Sequence, residues 1–143
     1  MPTISKDMFH PPPKVVICGS YKKGREELLK IERSMQALSC QILSPRSLNF
    51  LNTTADFVRT SSEQNFSDDE IERWHLQAIS LCDFIWLHCP NGYIGNSGCF
   101  EIGYAYALNK PVFSLHVPED DALKPFVKVR TGVIESMFDL GML

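Results

Sequence analysis

Short apolar runs alternate with amphipathic stretches along this 143-residue chain. Val15-Val16-Ile17-Cys18 is apolar at every position and stops at Gly19-Ser20. Such a run, opened by Lys14, predicts a strand buried on both faces of a parallel sheet. From 22 to 38 the period changes: Leu28, Leu29, Ile31, Met35 and Leu38 recur at three-to-four spacing with charges between them, which predicts a helix. Residues 40–43 predict a second strand, ended by Ser44-Pro45. Residues 46–66 are polar and weakly patterned, and read as a long binding loop or lid. Ser67, with Glu70 three residues on, marks a helix start of the capping-box type. That helix should run to about Leu81, with Ile71, Trp74, Ala78 and Leu81 on one face. Residues 83–88 predict a third strand and 90–97 a glycine-containing loop. Phe100 to Leu108 predicts a strongly apolar helix, with Asn109 as its left-handed cap. A fourth strand over 112–115 and a last helix over about 131–140 complete the pattern.

Strands alternating with helices imply parallel βαβ units with right-handed crossovers, an α/β architecture. Ligands of such open sheets bind beyond the carboxyl ends of the strands. Three segments follow those ends: Gly19–Arg25, the 46–66 loop and Pro90–Glu101. Residues 1–13, with Pro11-Pro12-Pro13, read as an irregular arm before a single domain over 14–143.

Composition narrows the classes of function. The net charge of −3 argues against a nucleic-acid polymer or an anionic membrane as partner. No apolar run approaches the ~20 residues of a membrane helix, and Met1–Asp7 offers no apolar signal core. The expected compartment is therefore the cytoplasm. Five cysteines, an odd number without a CxxC pair, are expected to be reduced thiols that behave as small hydrophobes. No zinc spacing links them to the four histidines, so no metal site is expected.

Two loops could carry chemistry. Gly19-Ser20-Tyr21-Lys22-Lys23-Gly24-Arg25 combines glycines, cations and a following helix start, the ingredients of an anion site or simply of a charged turn. It is not a P-loop. Asn91 to Phe100 carries Gly92, Gly95 and Gly98 with Asn91, Asn96 and Ser97, suited to wrapping a ligand. Glu101 follows as the lone charge of an otherwise apolar helix. A negative group is favoured at a helix start by up to ~1 kcal/mol. An ionised carboxylate aimed into a crevice can also attack a sugar carbon. His75 on the preceding helix could titrate near neutrality as acid, base or hydrogen-bond partner. His88 lies near the same strand end without an identifiable partner.

These residues form a recognisable pattern. Asp83-Phe84-Ile85-Trp86, Gly92-Tyr93-Ile94-Gly95, Glu101-Ile102-Gly103-Tyr104-Ala105 and Lys110-Pro111-Val112-Phe113 together resemble the nucleoside 2-deoxyribosyltransferase family. Cys18-Gly19-Ser20 and Gly24-Arg25-Glu26 resemble the first loop of its relatives that hydrolyse deoxynucleoside 5′-monophosphates. The resemblance spans most of residues 14–115. It implies a flavodoxin-like three-layer sandwich with a mainly parallel five-stranded sheet. It implies that Glu101 attacks the anomeric carbon, and that Gly19, Ser20, Arg25 and Ser97 hold sugar or 5′-phosphate. It also implies a homodimer or larger oligomer and no metal or organic cofactor. His75 stands where many members have an aspartate that handles the leaving base or orients the glutamate.

The expected activity is cleavage of the N-glycosidic bond of a nucleoside or nucleoside 5′-monophosphate, by hydrolysis or base transfer. Glu101 would be the nucleophile, and His75 would assist the leaving base. Tyr21 and Tyr93 would stack on the base, and Gly95 would let the loop close on it. Two other classes compete: a nucleotide-binding sensor without turnover, and a structural domain whose glycines only shape turns.

Overall fold

A computed structural model describes residues 11–50 and 60–143. The first ten residues of the expected arm, and 51–59 of the long loop, lie outside the described residues. In chain order the elements are β1 (Lys14–Gly19), α1 (Arg25–Ala37), β2 (Gln41–Ser44), α2 (Asp68–Leu81), β3 (Phe84–His88), α3 (Asn96–Ala107), β4 (Val112–Ser114), β5 (Lys128–Val129) and α4 (Val133–Asp139). Short 3₁₀ turns occupy Ser61–Glu63, Pro90–Gly92 and Lys124–Phe126.

The five strands form one parallel sheet in the order β2-β1-β3-β4-β5. This is the flavodoxin-like order, in which the chain reverses direction across the sheet between β1 and β3. The unbroken apolar runs of β1 and β3 are explained by burial on both sides. Val15, Ile17, Phe84 and Trp86 pack with Leu28, Ile31 and Met35 of α1 and with Val133 and Met137 of α4. Val16, Cys18, Ile85 and Leu87 pack with Ala78 and Ile79 of α2 and with Ile102 and Ala105 of α3. The period of two along each strand thus feeds two separate cores, one per face. All five cysteines are free. No helix among the described residues is long and apolar enough to cross a membrane.

Several element boundaries differ from the sequence expectation, and two differences bear on the site. α2 does start on Ser67, whose Oγ accepts from the Glu70 N–H at 3.2 Å. Its buried stripe, however, is Ile71, His75, Ala78 and Ile79. Trp74 and Leu81 face outward; Trp74 meets Phe66 edge-on at 4.6 Å and lies under Arg46. The true stripe follows the i, i+4, i+7, i+8 spacing that faces a core, and it carries His75 inward. α3 begins at Asn96 rather than Phe100, with Gly95 as its N-cap. Glu101 therefore sits in the second turn, beyond the reach of the helix-start effect, and its charge needs another partner. α1 starts later than expected, at Arg25, because Gly24 turns in the left-handed region at φ 65°. β5 was not marked in the sequence by any apolar run; its two residues are both exposed.

Candidate active site

β1 ends in Gly19, whose φ of 121° is open only to glycine. A Cβ there would lie 2.1 Å from the His88 carbonyl oxygen, so β1 and β3 close on each other at this point. The first turn of α3 packs onto the same spot: a Cβ on Gly98 would stand 3.4 Å from the Gly19 Cα and 2.7 Å from Ile94 Cγ2. Two glycines thus bring α3 onto the end of β1, and Glu101 arrives one turn further in.

Above this junction, at the switch between β1 and β3, lies a cavity of about 440 Å³. That size suits a small-molecule ligand. The β1 turn supplies Gly19, Ser20, Tyr21 and Lys22 to its wall, and β2 supplies Ser44 at its end. Glu63 comes from the 3₁₀ turn, and Ile71, Glu72 and His75 from α2. Pro45, Tyr93, Gly95, Asn96, Ser97, Gly98 and Glu101 complete it. Of the residues given a catalytic or substrate-binding role in the expected activity, Arg25 is absent from the lining; it opens α1 and is exposed. Lys22 supplies a cation to the cavity instead. Tyr93 is partly exposed with Lys23 Nζ 4.0 Å from its ring centre. Tyr21 is committed to the protein: its hydroxyl donates to the Ile17 carbonyl at 2.5 Å, and its ring stacks on Phe50 at 5.0 Å.

Glu101 is 5 % exposed and His75 7 %. His75 Nε2 stands 3.2 Å from Glu101 Oε1. On the other side of the ring, Nδ1 is 2.6 Å from Ser44 Oγ. Both nitrogens are therefore engaged by protein groups. Burial alone would lower the His75 pKa, but the hydrogen bond and charge of Glu101, with Glu72 and Glu63 behind them, outweigh it and raise it. A charged His75 donates Nε2–H to Glu101 and Nδ1–H to Ser44. Cys18 Sγ is 3.4 Å from the same Nε2. Burial, then the charge of Glu101 and a hydrogen bond to it, push this thiol well above its ordinary value. Cys18 thus stays a thiol.

Cys18, His75 and Glu101 place three donor atoms within 4.8 Å of one another. As a soft–borderline–hard set they could hold a zinc-like ion; as they stand, hydrogen bonds among them satisfy all three. Sequence spacing did not reveal this trio, because its members come from β1, α2 and α3.

Glu72 and Ser44 were also missed. Glu72 lies three residues before His75 and so shares its helix face, which was a readable signal. Ser44 ends a strand, where ligand-facing groups collect. His88, expected to lack a partner, has its Nε2 2.6 Å from the Lys23 carbonyl. Its Nδ1 is 3.6 Å from Glu27, which His116 also contacts at 2.6 Å. Burial pushes the His88 pKa down, consistent with a neutral ring donating to Lys23. This cluster ties α1 to the sheet and does not line the cavity.

No family model matches the chain, and no curated protein matches it by sequence. Among solved structures it is similar to the Clostridium botulinum CMP N-glycosidase BcmB, at 14% identity and a TM-score of 0.51. The match covers 90% of this chain and 98% of the other. With so little sequence in common over nearly the whole of both molecules, what the chain shares with that protein is its fold.

Proposed function

We propose that this chain cleaves the N-glycosidic bond of a nucleoside or nucleoside 5′-monophosphate, with Glu101 as nucleophile. The observation that carries the reading is the buried Glu101 carboxylate lining the switch-point cavity, held at 3.2 Å by a histidine rather than by an arginine or lysine. A buried acid is costly unless paired, and here the pairing leaves it facing a ligand-sized space. A Glu101 oxygen bonds to C1′, the electron pair of the C1′–N bond leaves with the base, and the base takes up a proton. The resulting ester is resolved by water, or by a second base in a transfer reaction. His75 orients Glu101 and, when charged, stabilises its carboxylate form. That the chain shares its fold with a CMP N-glycosidase agrees with this reading.

Ser20, Ser97 and Lys22 line the cavity beside the start of α3, whose N-cap Gly95 makes no side-chain cap. Backbone N–H groups at such a start favour an anion, and a 5′-phosphate fits there. Tyr93 offers a face to the base, and Gly95 room beside it. The reading carries with it a homo-oligomer; the exposed aromatics Phe100, Tyr106 and Phe126 give such an assembly a surface to cover.

The test is a panel of nucleosides and nucleoside monophosphates, ribo and deoxy, with free base followed over time. Wild type should release base from at least one, and Glu101→Ala from none. Undiminished release by Glu101→Ala would remove Glu101 as nucleophile; tight binding of intact nucleotide without release would favour a non-catalytic sensor.

A further inference from the structure

Glu72 is the half-buried acid that the chemistry above leaves idle. It lies on α2 three residues before His75 and lines the same cavity as Glu101. Its Oε1 is shut away from solvent without a hydrogen-bond partner. Buried carboxylate oxygens are rarely left so. It shares the cavity wall with Glu101, from which it also feels a negative charge. Two ionised carboxylates facing one cavity repel and neither can donate, whereas a single proton on Glu72 removes the repulsion and supplies a donor.

Both His75 nitrogens are already engaged, by Ser44 and by Glu101, before a leaving base arrives. Resting on the N-glycosidase reading, we propose that Glu72 is the proton donor to the departing base and that His75 acts by positioning Glu101. In the first step the Glu72 proton passes to the base as the C1′–N electron pair leaves with it, and a Glu101 oxygen bonds to C1′. In the second, the Glu72 carboxylate takes a proton from water, the water oxygen bonds to C1′, and the ester's C1′–O pair returns to Glu101. The sum is nucleoside plus water giving sugar plus base, with both glutamates restored. The environment supports a neutral acid: burial first and then the charge of Glu101 raise Glu72 to about 8 against a lowering by His75. The other titratable groups around it are Cys18 on β1, Tyr21 and Lys22 in the β1 turn, and Glu63 in the 3₁₀ turn.

The experiment compares wild type, Glu72→Gln, Glu72→Ala, Glu72→Asp and Glu101→Ala, each checked for folding by its melting curve. The substrates are those wild type cleaves in the panel and, for purines, their N7-methyl derivatives, whose cationic base leaves without protonation. Glu72→Gln should lose about 10²–10⁴-fold in release of unmodified base. It should cleave the N7-methyl substrate far better than the unmodified one, and lack the fall in kcat/KM above about pH 8 that is expected of wild type. Azide should speed turnover by Glu72→Ala and yield a glycosyl azide of retained configuration, and Glu72→Asp should keep part of the rate. Retention of the wild-type rate and alkaline fall by Glu72→Gln would overturn the proposal. So would equal loss on both substrates without azide rescue, the mark of a structural role. Either result leaves the N-glycosidase reading standing if Glu101→Ala is dead. Absence of base release by wild type would overturn both.

Discussion

His75 Nε2 lies 3.2 Å from Glu101 Oε1, and the contact joins α2 to α3 across the carboxyl end of β1. It replaces the helix-start effect as the reason a carboxylate is tolerated there. The orientation of His75 rests in turn on Ser44, 2.6 Å from Nδ1.

Ser44→Ala should therefore weaken catalysis through its effect on His75. Loss of one charge-assisted hydrogen bond costs about 1.5–3 kcal/mol, so kcat should fall by about tenfold or more. KM should change little, and Ser44→Thr should restore part of the rate. Steady-state kinetics of the two variants on any cleaved substrate decide it.

Stability should fall as pH rises. Unfolded Glu72 titrates near 4.5 and the folded group at about 8. Between those values the folded chain holds a proton that the unfolded chain has lost, so its stabilising contribution is complete below pH 4.5 and gone above pH 8. His75, raised from 6.5, acts in the same direction above that value. Because Glu72 is partly exposed, the effect should be on the order of 1 kcal/mol rather than the full shift. Melting temperatures at pH 5 and pH 8 should differ less in Glu72→Gln than in wild type.

Two glycine-to-alanine changes should have opposite signs. Gly19→Ala meets the His88 carbonyl at 2.1 Å and a φ of 121°, and should cost more than about 3 kcal/mol. Gly103, inside α3, has nothing within 4 Å of a new Cβ. Gly103→Ala should stabilise by about 0.5–1 kcal/mol. Urea melts of both measure the difference.

Zinc should inhibit by binding the Cys18–His75–Glu101 trio, displacing the thiol proton. A chelator should leave the activity of the zinc-free protein unchanged. Cys18→Ser should raise the zinc concentration for half inhibition by at least about tenfold, because a hydroxyl is a far poorer ligand than a thiolate. Equal inhibition of both proteins would place the ion elsewhere.

Much of the architecture was legible because β1 and β3 are buried on both faces and must be continuously apolar. α1 and α2 announced themselves by period, and Ser67 by its cap. β5 was hidden because two exposed residues make no pattern. The start of α3 was misplaced because Asn96, Ser97 and Gly98 read as loop by propensity, while packing of Gly98 on Gly19 decides the matter. At the site, Glu101 stood out as a lone charge in an apolar helix. His75 was also singled out, but the groups around the pair were not: Cys18 reads as a small hydrophobe, Ser44 as a strand terminator and Glu72 as one surface acid among several. Their proximity depends on the crossing of four elements, which no local spacing encodes.

Among the described residues, the cavity wall runs from Gly19 to Glu101, and nothing C-terminal to Glu101 contributes to it. The stretch holding β4, β5 and α4 is framework. A scan of inactivating substitutions should divide at that glutamate: before it, changes that abolish turnover in a well-folded protein; after it, changes that act through folding or assembly. The stretch after Glu101 is accordingly the place where tags, labels or stabilising replacements can be introduced with the chemistry left intact.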